Sequence, residues 1–527
     1  MPGPLKPRYP NLAVKFLILR VRRTLPTPIA MPGIPADNFD VLVIGGGITG
    51  CGVARDAAMR GLKVVLVERD DFASGTSGRS SRLVHGGIRY LEHGQLHLVR
   101  ESIREREILL RIAPHLVQPL AFTWPIYRGA RVGRLKLGAG LFIYQVMAGN
   151  RAHRSLSLNA AETLEREPAL EKAGLSGSAV YYDARTDDAR LTIANAVDAD
   201  RNGGVVMNHT RATDIIRDGQ KAVGARVISR LSGLEQEIRA RVIVAATGVW
   251  ENDFGGDASP HRHRGSKGVH IGVSRERVRN REAITMVSPI DGRVMFCLPA
   301  ATQTIIGTTD TWTDDPPETV HAATSDIEYL ISSANAYFPD ARLSADDVIS
   351  AWAGIRPLAG GQPNDPSAAS REHSIVTDDS GVIHVTGGKL TTYRAMAAEI
   401  VDRVQEALGQ RRRQSATDSV ELPGSGRDQE IARLQRDNSR LAQPLVDDLP
   451  YTGAHLAYGV RQEKAQTLSD LLIRRTHLAF ETRDHAVSVA ARVADVVAPM
   501  LDWTDQTKSA RVLEYIEDVG RIFAITG

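Results

Sequence analysis

Cysteine is almost absent from this sequence of 527 residues, in which Cys51 and Cys297 lie far apart and form no CxxC motif. This scarcity predicts neither a disulfide framework nor a zinc site built from cysteines, and it is typical of proteins from a reducing compartment. Long apolar runs are also lacking, since no segment approaches the about 20 apolar residues that a membrane-spanning helix needs. The net charge is only +3, from 65 basic and 62 acidic residues, and it indicates no preference for nucleic acid.

The first 36 residues differ from the rest because they are basic and contain no acidic residue. Their charged residues are Lys6, Arg8, Lys15, Arg20, Arg22 and Arg23. One interpretation is a short anchor on a membrane surface, since an apolar stretch at 14–21 lies among these charges. The alternative is a disordered leader, or an upstream start codon with Met31 as the true first residue.

A strand–helix–strand unit follows this leader. The apolar, β-branched run at 39–45 predicts a buried strand, and the periodicity of 48–60 predicts a helix. A second strand at 63–67 ends at Glu68. A unit of this kind, about thirty residues long, is the core of many nucleotide-binding folds.

The rest of the chain divides by pattern. Residues 37–422 contain further pieces of the same sheet, including a strand predicted at 241–246, interleaved with segments suited to a substrate-facing region. Residues 423–428, Pro-Gly-Ser-Gly-Arg-Asp, predict a linker. Residues 429–527 have helical periodicity throughout and predict a separate helical domain.

The glycines between the first strand and the first helix carry the clearest chemical signal. Gly45, Gly47 and Gly50 form a G-x-G-x-x-G motif: the first permits a tight turn, the second lets main chain approach a diphosphate, and the third lets helix and strand pack closely. The diphosphate would lie at the positive end of the helix. Glu68, 23 residues after Gly45, is placed to accept hydrogen bonds from ribose hydroxyls. The motif therefore predicts a dinucleotide site, although it does not separate NAD from FAD.

The stretch at 73–90 is rich in glycine, serine and threonine. Small residues of this kind let main chain run along an extended cofactor, and the pair Gly86-Gly87 leaves room for a flat ring. An ordinary surface loop has the same composition, so composition alone leaves both interpretations open.

Several motifs in order resemble the FAD-dependent glycerol-3-phosphate dehydrogenases, over about residues 38–400. The matching blocks are 40–92 with its ending His-Gly-Gly-Ile-Arg-Tyr-Leu-Glu, 187–191, 246–250, 265–270, 306–310, 353–358 and 387–394. In the C-terminal part the resemblance is thinner and depends mainly on Leu472-Ile473-Arg474-Arg475-Thr476.

This resemblance implies an α/β fold, with a Rossmann-like FAD-binding domain of the glutathione-reductase and D-amino-acid-oxidase type, a substrate cap with a mixed sheet, and a C-terminal helical domain. It implies non-covalent FAD. It places the following additional residues around that cofactor: Thr76, Ser77, Arg82, Leu83, Gly86, Gly87, Thr247, Gly248, Trp250, Gly354, Lys389, Leu390, Thr391 and Thr392. Without the resemblance, the sequence favours a packing role for Trp250, as it does for Trp352.

The family also implies roles at the reacting end. By resemblance, Arg89, Arg356 and Arg371 hold the substrate phosphate, with Tyr90 adding a hydroxyl, because a dianion favours guanidinium partners. His270 is the candidate base, since imidazole ordinarily titrates near neutral pH. Lys389 would lie beside the flavin and stabilise the charge of the reduced ring. Each has a structural alternative, such as a surface ion pair for Arg356 or a packing role for His270.

Two arginines depart from the family pattern, and the role of one aspartate stays open. Relatives often have a smaller residue than Arg79 and a lysine in place of Arg82, which leaves the charge near the flavin undetermined. Asp310 has two interpretations, a turn cap or a site residue. No residue pattern leads us to propose a metal.

The expected activity is oxidation of sn-glycerol 3-phosphate to dihydroxyacetone phosphate, with electrons passed to a membrane quinone. The expected location is the cytoplasm, peripherally on the inner face of the cell membrane, with a homodimer as a possible assembly. The alternatives are an oxidase that reduces oxygen to peroxide, a flavin-binding protein without turnover, and an amine or amino-acid oxidase of the same superfamily. The last would need carboxylate rather than phosphate recognition.

Overall fold

The computed structural model describes residues 38–88, 95–130, 133–149, 154–253, 265–357 and 373–527. The basic leader and three predicted substrate residues, Arg89, Tyr90 and Arg371, lie outside the described residues. Their roles stay predictions.

The strands are, in chain order, β1 (Phe39–Ile44), β2 (Val64–Val67), β3 (Leu83–Val84), β4 (Val117–Tyr127), β5 (Leu156–Asn159), β6 (Leu175–Thr186), β7 (Val205–Met207), β8 (Thr210–Asp218), β9 (Lys221–Ser229), β10 (Glu235–Ala245), β11 (Gly265–Ser274), β12 (Ala283–Val287), β13 (Val294–Pro299), β14 (Gln303–Gly307), β15 (Thr311–Thr313), β16 (Ala322–Ala323), β17 (Val348–Arg356), β18 (His373–Thr377), β19 (Val382–Gly387) and β20 (Ile525–Thr526).

The helices are α1 (Ile48–Met59), α2 (Leu96–Ile112), α3 (Arg134–Ala148), α4 (Ala160–Arg166), α5 (Asp188–Arg201), α6 (Arg275–Val278), α7 (Thr324–Tyr337), α8 (Tyr393–Ala407), α9 (Arg427–Asp437), α10 (Gly453–Gln462), α11 (Leu478–Glu481), α12 (Ala490–Val497) and α13 (Asp505–Phe523). A π-helical segment spans Asp470–Arg475. Among these helices, none is long and apolar enough to cross a membrane.

The first sheet has the strand order β18-β19-β10-β1-β2-β7, and its central pairs are parallel. Helices α1, α5 and α8 cover one face, where small residues of α1 such as Ala54 and Ala57 let the helices approach closely. The predicted strand–helix–strand unit is confirmed within one residue at each end. Strand β10 begins six residues before the predicted strand at 241, because its first half pairs with β9 in an antiparallel ribbon.

The second sheet has the order β15-β11-β14-β13-β12-β4-β6-β3, and β17 pairs with β11 from outside this path. It is mixed, since β12 runs parallel to β4 while its other pairs are antiparallel. Helix α7 packs on this sheet in one apolar cluster. This sheet is the cap that the sequence predicted, and it faces the first sheet across a cavity.

The C-terminal part is helical, from α9 to α13. Helix α9 begins at Arg427, inside the segment predicted as a linker. At the end of the chain, β20 pairs with β16 of the cap. One apolar cluster joins the C-terminal helices to the cap, with Phe480 from α11 and Trp352 from β17 among its members.

Candidate active site

One elongated cavity runs between the two sheets. Of the residues predicted from sequence, its lining includes Gly45, Gly47, Glu68, Thr76, Ser77, Leu83, Thr247, Gly248, Trp250, His270, Gly354, Arg356, Lys389, Leu390 and Thr391. These residues come from segments more than 300 positions apart in the chain. The fold therefore brings together most of the predicted cofactor residues and all three predicted catalytic residues.

The glycine end of the cavity is built from main chain. Gly45 has a φ of +109°, and a Cβ there would lie 2.4 Å from the carbonyl oxygen of Ala246. A Cβ on Gly50 would lie 1.9 Å from the carbonyl oxygen of Gly45. These positions therefore require glycine for the turn itself. Gly47 is different, because a Cβ there would face the cavity and meet only Ser77 Oγ, at 3.2 Å.

Glu68 closes this end at the carboxyl edge of β2. Its Oε2 accepts a hydrogen bond from the Gly46 N–H at 2.6 Å, and its Oε1 accepts one from the Asp70 N–H at 2.8 Å. Burial raises the pKa of this carboxyl, an effect that the Gly46 N–H opposes. The side chain thus links the end of β2 to the glycine turn and still lines the cavity.

Five predicted cofactor residues are not among those lining the cavity: Gly50, Arg82, Gly86, Gly87 and Thr392. The structure gives a packing reason for three of them. Gly50 lies beneath the turn, and Gly86 packs against the hydroxyl of Tyr144. The guanidinium of Arg82 lies over the ring of Phe480, 4.9 Å from its centroid.

Arg356 ends β17 at the opposite end of the cavity. Its Nη2 donates to Thr308 Oγ1 at 2.8 Å, and its Nη1 donates to Asp310 Oδ1 at 3.1 Å. Asp310 is therefore an ion-pair partner of a cavity arginine. Of the two interpretations that the sequence left open, this contact favours a site residue over a turn cap. The pair fixes the direction of the guanidinium, whose side chain is 23% exposed.

His270 lies on β11, next to β17, and is 2% exposed. Its Nε2 is 2.8 Å from Ser81 Oγ, and its ring stacks on Trp352 with centroids 5.5 Å apart. Burial, followed by the positive charges of Arg356 and Arg82, lowers the pKa of His270 from 6.5 to about 3. An ordinary imidazole pKa is therefore not expected for His270 in the protein without bound ligands, because the ring is buried beside two cations.

Lys389, Leu390 and Thr391 form the turn between β19 and α8. Thr391 Oγ1 accepts a hydrogen bond from the His85 N–H at 3.2 Å, and both residues line the cavity. Sequence reasoning gave no role to Ser81 or His85. Both lie in the 73–90 stretch that it singled out, so the available signal was their position beside the glycines and serines.

Comparison with known proteins assigns the family. The profile of the FAD dependent oxidoreductases matches residues 40–403, and that of the C-terminal domain of alpha-glycerophosphate oxidase matches residues 424–508. An aerobic glycerol-3-phosphate dehydrogenase of Staphylococcus saprophyticus is 36% identical over 522 residues, covering 90% of this chain and 93% of the relative. Glycerol-3-phosphate dehydrogenase 2 of Mycobacterium tuberculosis is 35% identical over 529 residues, covering 93% and 90%. The chain belongs to the FAD-dependent glycerol-3-phosphate dehydrogenases.

Solved structures agree with this family. The glycerol-3-phosphate dehydrogenase of Bacillus halodurans, complexed with FAD, matches with a TM-score of 0.73 and 31% identity, covering 92% of this chain and 95% of that chain. An L-alpha-glycerophosphate oxidase of Mycoplasma pneumoniae shares the fold, with a TM-score of 0.56 and 18% identity over 74% of this chain and 100% of that chain.

The cavity fits the dinucleotide of this dehydrogenase family. At Gly47 a side chain would project into the space that a diphosphate would occupy, and the first turn of α1 begins beside it. A buried carboxylate, Glu68, lies at one end, as a ribose requires. The space between Glu68 and His270 is continuous, so one extended cofactor can pass from the glycine turn to the cap.

The C-terminal domain of this dehydrogenase supports both ends of the cavity from outside. At the cap end, Phe480 packs edge-on against Trp352 at 5.1 Å. The Phe480 carbonyl accepts hydrogen bonds from Gln303 Nε2 at 2.7 Å and Ser350 Oγ at 2.8 Å. The ring behind His270 is therefore held by a residue of another domain.

At the glycine end, Arg474 and Arg475 reach Asp71, three residues after Glu68. Arg474 Nε donates to Asp71 Oδ2 at 2.6 Å, and Arg475 Nη2 donates to Asp71 Oδ1 at 3.0 Å. Asp470 joins the group, since it accepts from Arg474 at 2.9 Å and lies 2.9 Å from His209 Nε2. Because two guanidinium groups fill this acidic cluster, it is an ion-pair network rather than a metal site. This network explains the Leu472–Thr476 motif.

Proposed function

We propose that this dehydrogenase oxidises sn-glycerol 3-phosphate to dihydroxyacetone phosphate with FAD in the cavity, and that a membrane quinone receives the electrons. The observation that carries the proposal is the presence of an oriented arginine and a buried histidine on adjacent strands, Arg356 and His270, in the lining of the cavity that also contains the glycine turn.

The cofactor roles follow from position. The N–H groups at Gly45 and Gly47 and the start of α1 would hold the diphosphate, and Glu68 would hold the ribose. The Lys389–Thr391 turn lies at the other end, where it would place a cation and the N-terminus of α8 beside the flavin. When bound, FAD supplies a two-electron acceptor for the hydride from C2 of the substrate.

Arg356 would bind the substrate phosphate. Asp310 and Thr308 occupy part of the guanidinium and hold its plane in place, which prepares it for a charged oxygen. The roles of Arg89, Tyr90 and Arg371 rest on the family resemblance. A dianion needs more than one cation, so Arg356 would share this function with them.

His270 would accept the proton of the substrate hydroxyl. With a pKa of about 3 in the protein alone, the ring is neutral at working pH and can accept a proton, but with little affinity for it. A bound dianion would offset the charge of Arg356 and raise the pKa of His270 towards the working range. Ser81, 2.8 Å from Nε2, would orient the ring. His85, which lines the same cavity, is the second candidate for the base.

Dye-linked turnover of the purified yellow protein tests the substrate. We expect activity with sn-glycerol 3-phosphate and none above background with glycerol, lactate or amino acids, because glycerol lacks the phosphate and the others carry a carboxylate. Turnover of an amino acid at a rate similar to that of glycerol 3-phosphate would contradict the phosphate site and favour an amino-acid oxidase.

The quinone proposal needs a surface that contacts lipid, and α3 offers one. Leu137, Leu141 and Tyr144 are buried on one face of this helix, while Phe142 and Val146 on the other are 69% and 63% exposed. Exposed arginines lie near its two ends, at Arg128 and Arg154. A helix with apolar residues on its exposed face and nearby basic residues is suited to an anionic membrane surface.

Vesicle sedimentation tests this surface. We expect binding to anionic vesicles that weakens with salt and with Phe142→Ser, whereas Leu513→Ser, at a similarly exposed leucine of α13, should leave it unchanged. A chain beginning at Met31 measures the contribution of the basic leader. Binding that resists Phe142→Ser but is lost from the shortened chain would assign the anchor to the leader.

Oxygen is the second candidate acceptor, because the C-terminal domain matches that of alpha-glycerophosphate oxidase. Peroxide formed per substrate oxidised separates the two. We expect little peroxide and a higher turnover with a quinone in anionic vesicles. Stoichiometric peroxide, with no gain from quinone, would identify an oxidase.

A further inference from the structure

Three side chains from distant segments meet at the Glu68 end of the cavity. Arg69 follows Glu68, Trp250 lies in the 3₁₀ segment Gly248–Asp253, and Glu318 lies in the cap loop between β15 and β16. Arg69 and Trp250 line the cavity, whereas Glu318 contacts both of them without being part of the lining.

The contacts among the three are specific. The guanidinium of Arg69 lies over the ring of Trp250, 4.2 Å from its centroid. Arg69 Nη2 donates to Glu318 Oε1 at 3.1 Å, and the Trp250 indole N–H donates to the same oxygen. Glu318 is therefore a single acceptor that holds two cavity-lining side chains together.

Main chain also shapes this group. A Cβ on Gly75 would lie 2.8 Å from Trp250 Cζ3, so the indole can lie against residue 75 only because that residue is glycine. Gly75 itself lines the cavity. The indole is thus held between the Gly75 main chain and the Arg69 guanidinium.

The group connects two layers of the molecule. Arg69 and Trp250 follow strands of the nucleotide-binding sheet, and Glu318 belongs to the cap. The side chain of Glu318 is 45% exposed and that of Arg69 is 25% exposed, so these contacts lie between the cavity and solvent.

We propose that Arg69, Trp250 and Glu318 form a clasp that retains FAD by closing the adenosine end of the cavity. The proposal rests on FAD occupying the cavity with its ribose at Glu68. The cofactor can leave at this end only when the Glu318 contacts break. Each contact is weak because it is partly exposed, so the clasp can open without unfolding either sheet.

The test is the rate of FAD release, followed as the rise of flavin fluorescence after dilution of the holoprotein. We expect Glu318→Ala to release FAD about fivefold to tenfold faster, since the ion pair with Arg69 and the hydrogen bond from the Trp250 indole N–H are lost together. Glu318→Gln keeps an acceptor oxygen but loses the charge, so its rate of FAD release should lie between those of the wild type and of Glu318→Ala. Asp315→Ala, in the same exposed loop, is the matched control and should release FAD at the wild-type rate.

Two further variants separate the clasp from a general effect of the loop. Arg69→Ala combined with Glu318→Ala should release FAD no more than about twofold faster than either single variant, because the two side chains act as one unit. Gly75→Ala should also speed release, because the added methyl displaces the indole. A Glu318→Ala rate within twofold of wild type, or fully multiplicative effects in the double variant, would overturn the clasp. A wild-type protein that binds no FAD would instead overturn the proposed function beneath it.

Discussion

The two ends of the cavity are built in different ways. The glycine end is lined mainly by one continuous stretch, Gly45 to Ser77, with Glu68 as its buried acid, and the distant residues Trp250 and Glu318 contact this stretch through Arg69. The cap end consists of side chains, with His270 on β11 and Arg356 on β17, both supported by residues they do not neighbour in sequence. A site made of local main chain tolerates few residue types, whereas a site made of distant side chains depends on the packing behind them.

The largest difference between the two ends should appear at Gly47. A valine there would project into the diphosphate space, while its Cβ meets only Ser77 Oγ in the protein, at 3.2 Å. We expect Gly47→Val to fold with near-normal circular dichroism and to purify without flavin. A full flavin spectrum in this variant would remove the loop from the cofactor site.

Gly50→Val is the matched control for that result. Its Cβ would lie 1.9 Å from the Gly45 carbonyl oxygen, so this substitution must distort the turn. We expect a lower melting temperature as well as loss of flavin. If both variants melt equally early, the effect of Gly47→Val is on folding rather than on the cofactor.

At the cap end, His270→Gln should lower kcat by about 10²-fold to 10⁴-fold, the usual contribution of a positioned base, with FAD still bound. The pKa of His270 is about 3 in the free protein, so titration of this ring should not produce an inflection near pH 6.5 in the wild-type kcat/KM profile. The profiles of the wild type and of His270→Gln should therefore have the same shape around that pH. His85→Gln is the comparison. A larger loss in His85→Gln than in His270→Gln would move the base to His85.

The buried neutral histidine also has a consequence for stability. The pKa of His270 is about 3 in the folded protein and 6.5 without the fold, so between these values only the unfolded chain binds the proton. The contribution of His270 to stability is therefore lost as the pH falls through this window. Relative to His270→Gln, the wild-type free energy of unfolding should decrease by about 2 kcal/mol from pH 7.5 to pH 5 in urea titrations. A difference that does not change with pH would contradict the buried neutral ring.

A substitution at Arg356 should have a smaller effect than one at the base. We expect Arg356→Ala to cost about 2 to 4 kcal/mol in kcat/KM through both KM and kcat, because a desolvated phosphate loses one guanidinium. Arg356→Lys should recover part of the lost kcat/KM, since lysine keeps the positive charge but not the planar set of N–H donors of the guanidinium. Arg226→Ala, at an arginine whose side chain is 60% exposed, is the control. Unchanged kinetics in both Arg356 variants would remove this residue from the site.

The smallest effect tests whether the C-terminal domain supports the two ends of the cavity separately. Phe480→Leu removes the edge-on contact with Trp352 but keeps most of the volume, which should cost about 1 kcal/mol of stability. We expect kcat to fall several-fold while the rate of FAD release stays unchanged. Faster FAD release with unchanged kcat would show that the two ends are not separately supported.

The same contrast explains what could be predicted from sequence. The strand–helix–strand unit and the candidate Glu68 follow from local periodicity and glycine spacing, and the structure confirms the bounds of the two strands and the helix within one residue. The pairing of Arg356 with Asp310 joins residues 46 positions apart, so no local pattern reveals it.

The charge state of His270 could not be predicted from the sequence either, because it too depends on residues that are distant in the chain. Its low pKa depends on burial between Trp352 and two arginines that the fold brings together. Arg82, whose position beside the flavin stays a prediction, packs over Phe480 of a domain that begins more than 300 residues later. Side-chain direction at such positions is a property of tertiary packing.

The most direct test of the central claim is a single turnover without oxygen or any other acceptor. Adding sn-glycerol 3-phosphate to the anaerobic holoprotein should bleach the flavin absorbance with one substrate oxidised per flavin, and glycerol at the same concentration should not. Absorbance that stays unchanged with glycerol 3-phosphate, or that bleaches equally with glycerol, would contradict a phosphate-binding, FAD-reducing site at His270 and Arg356.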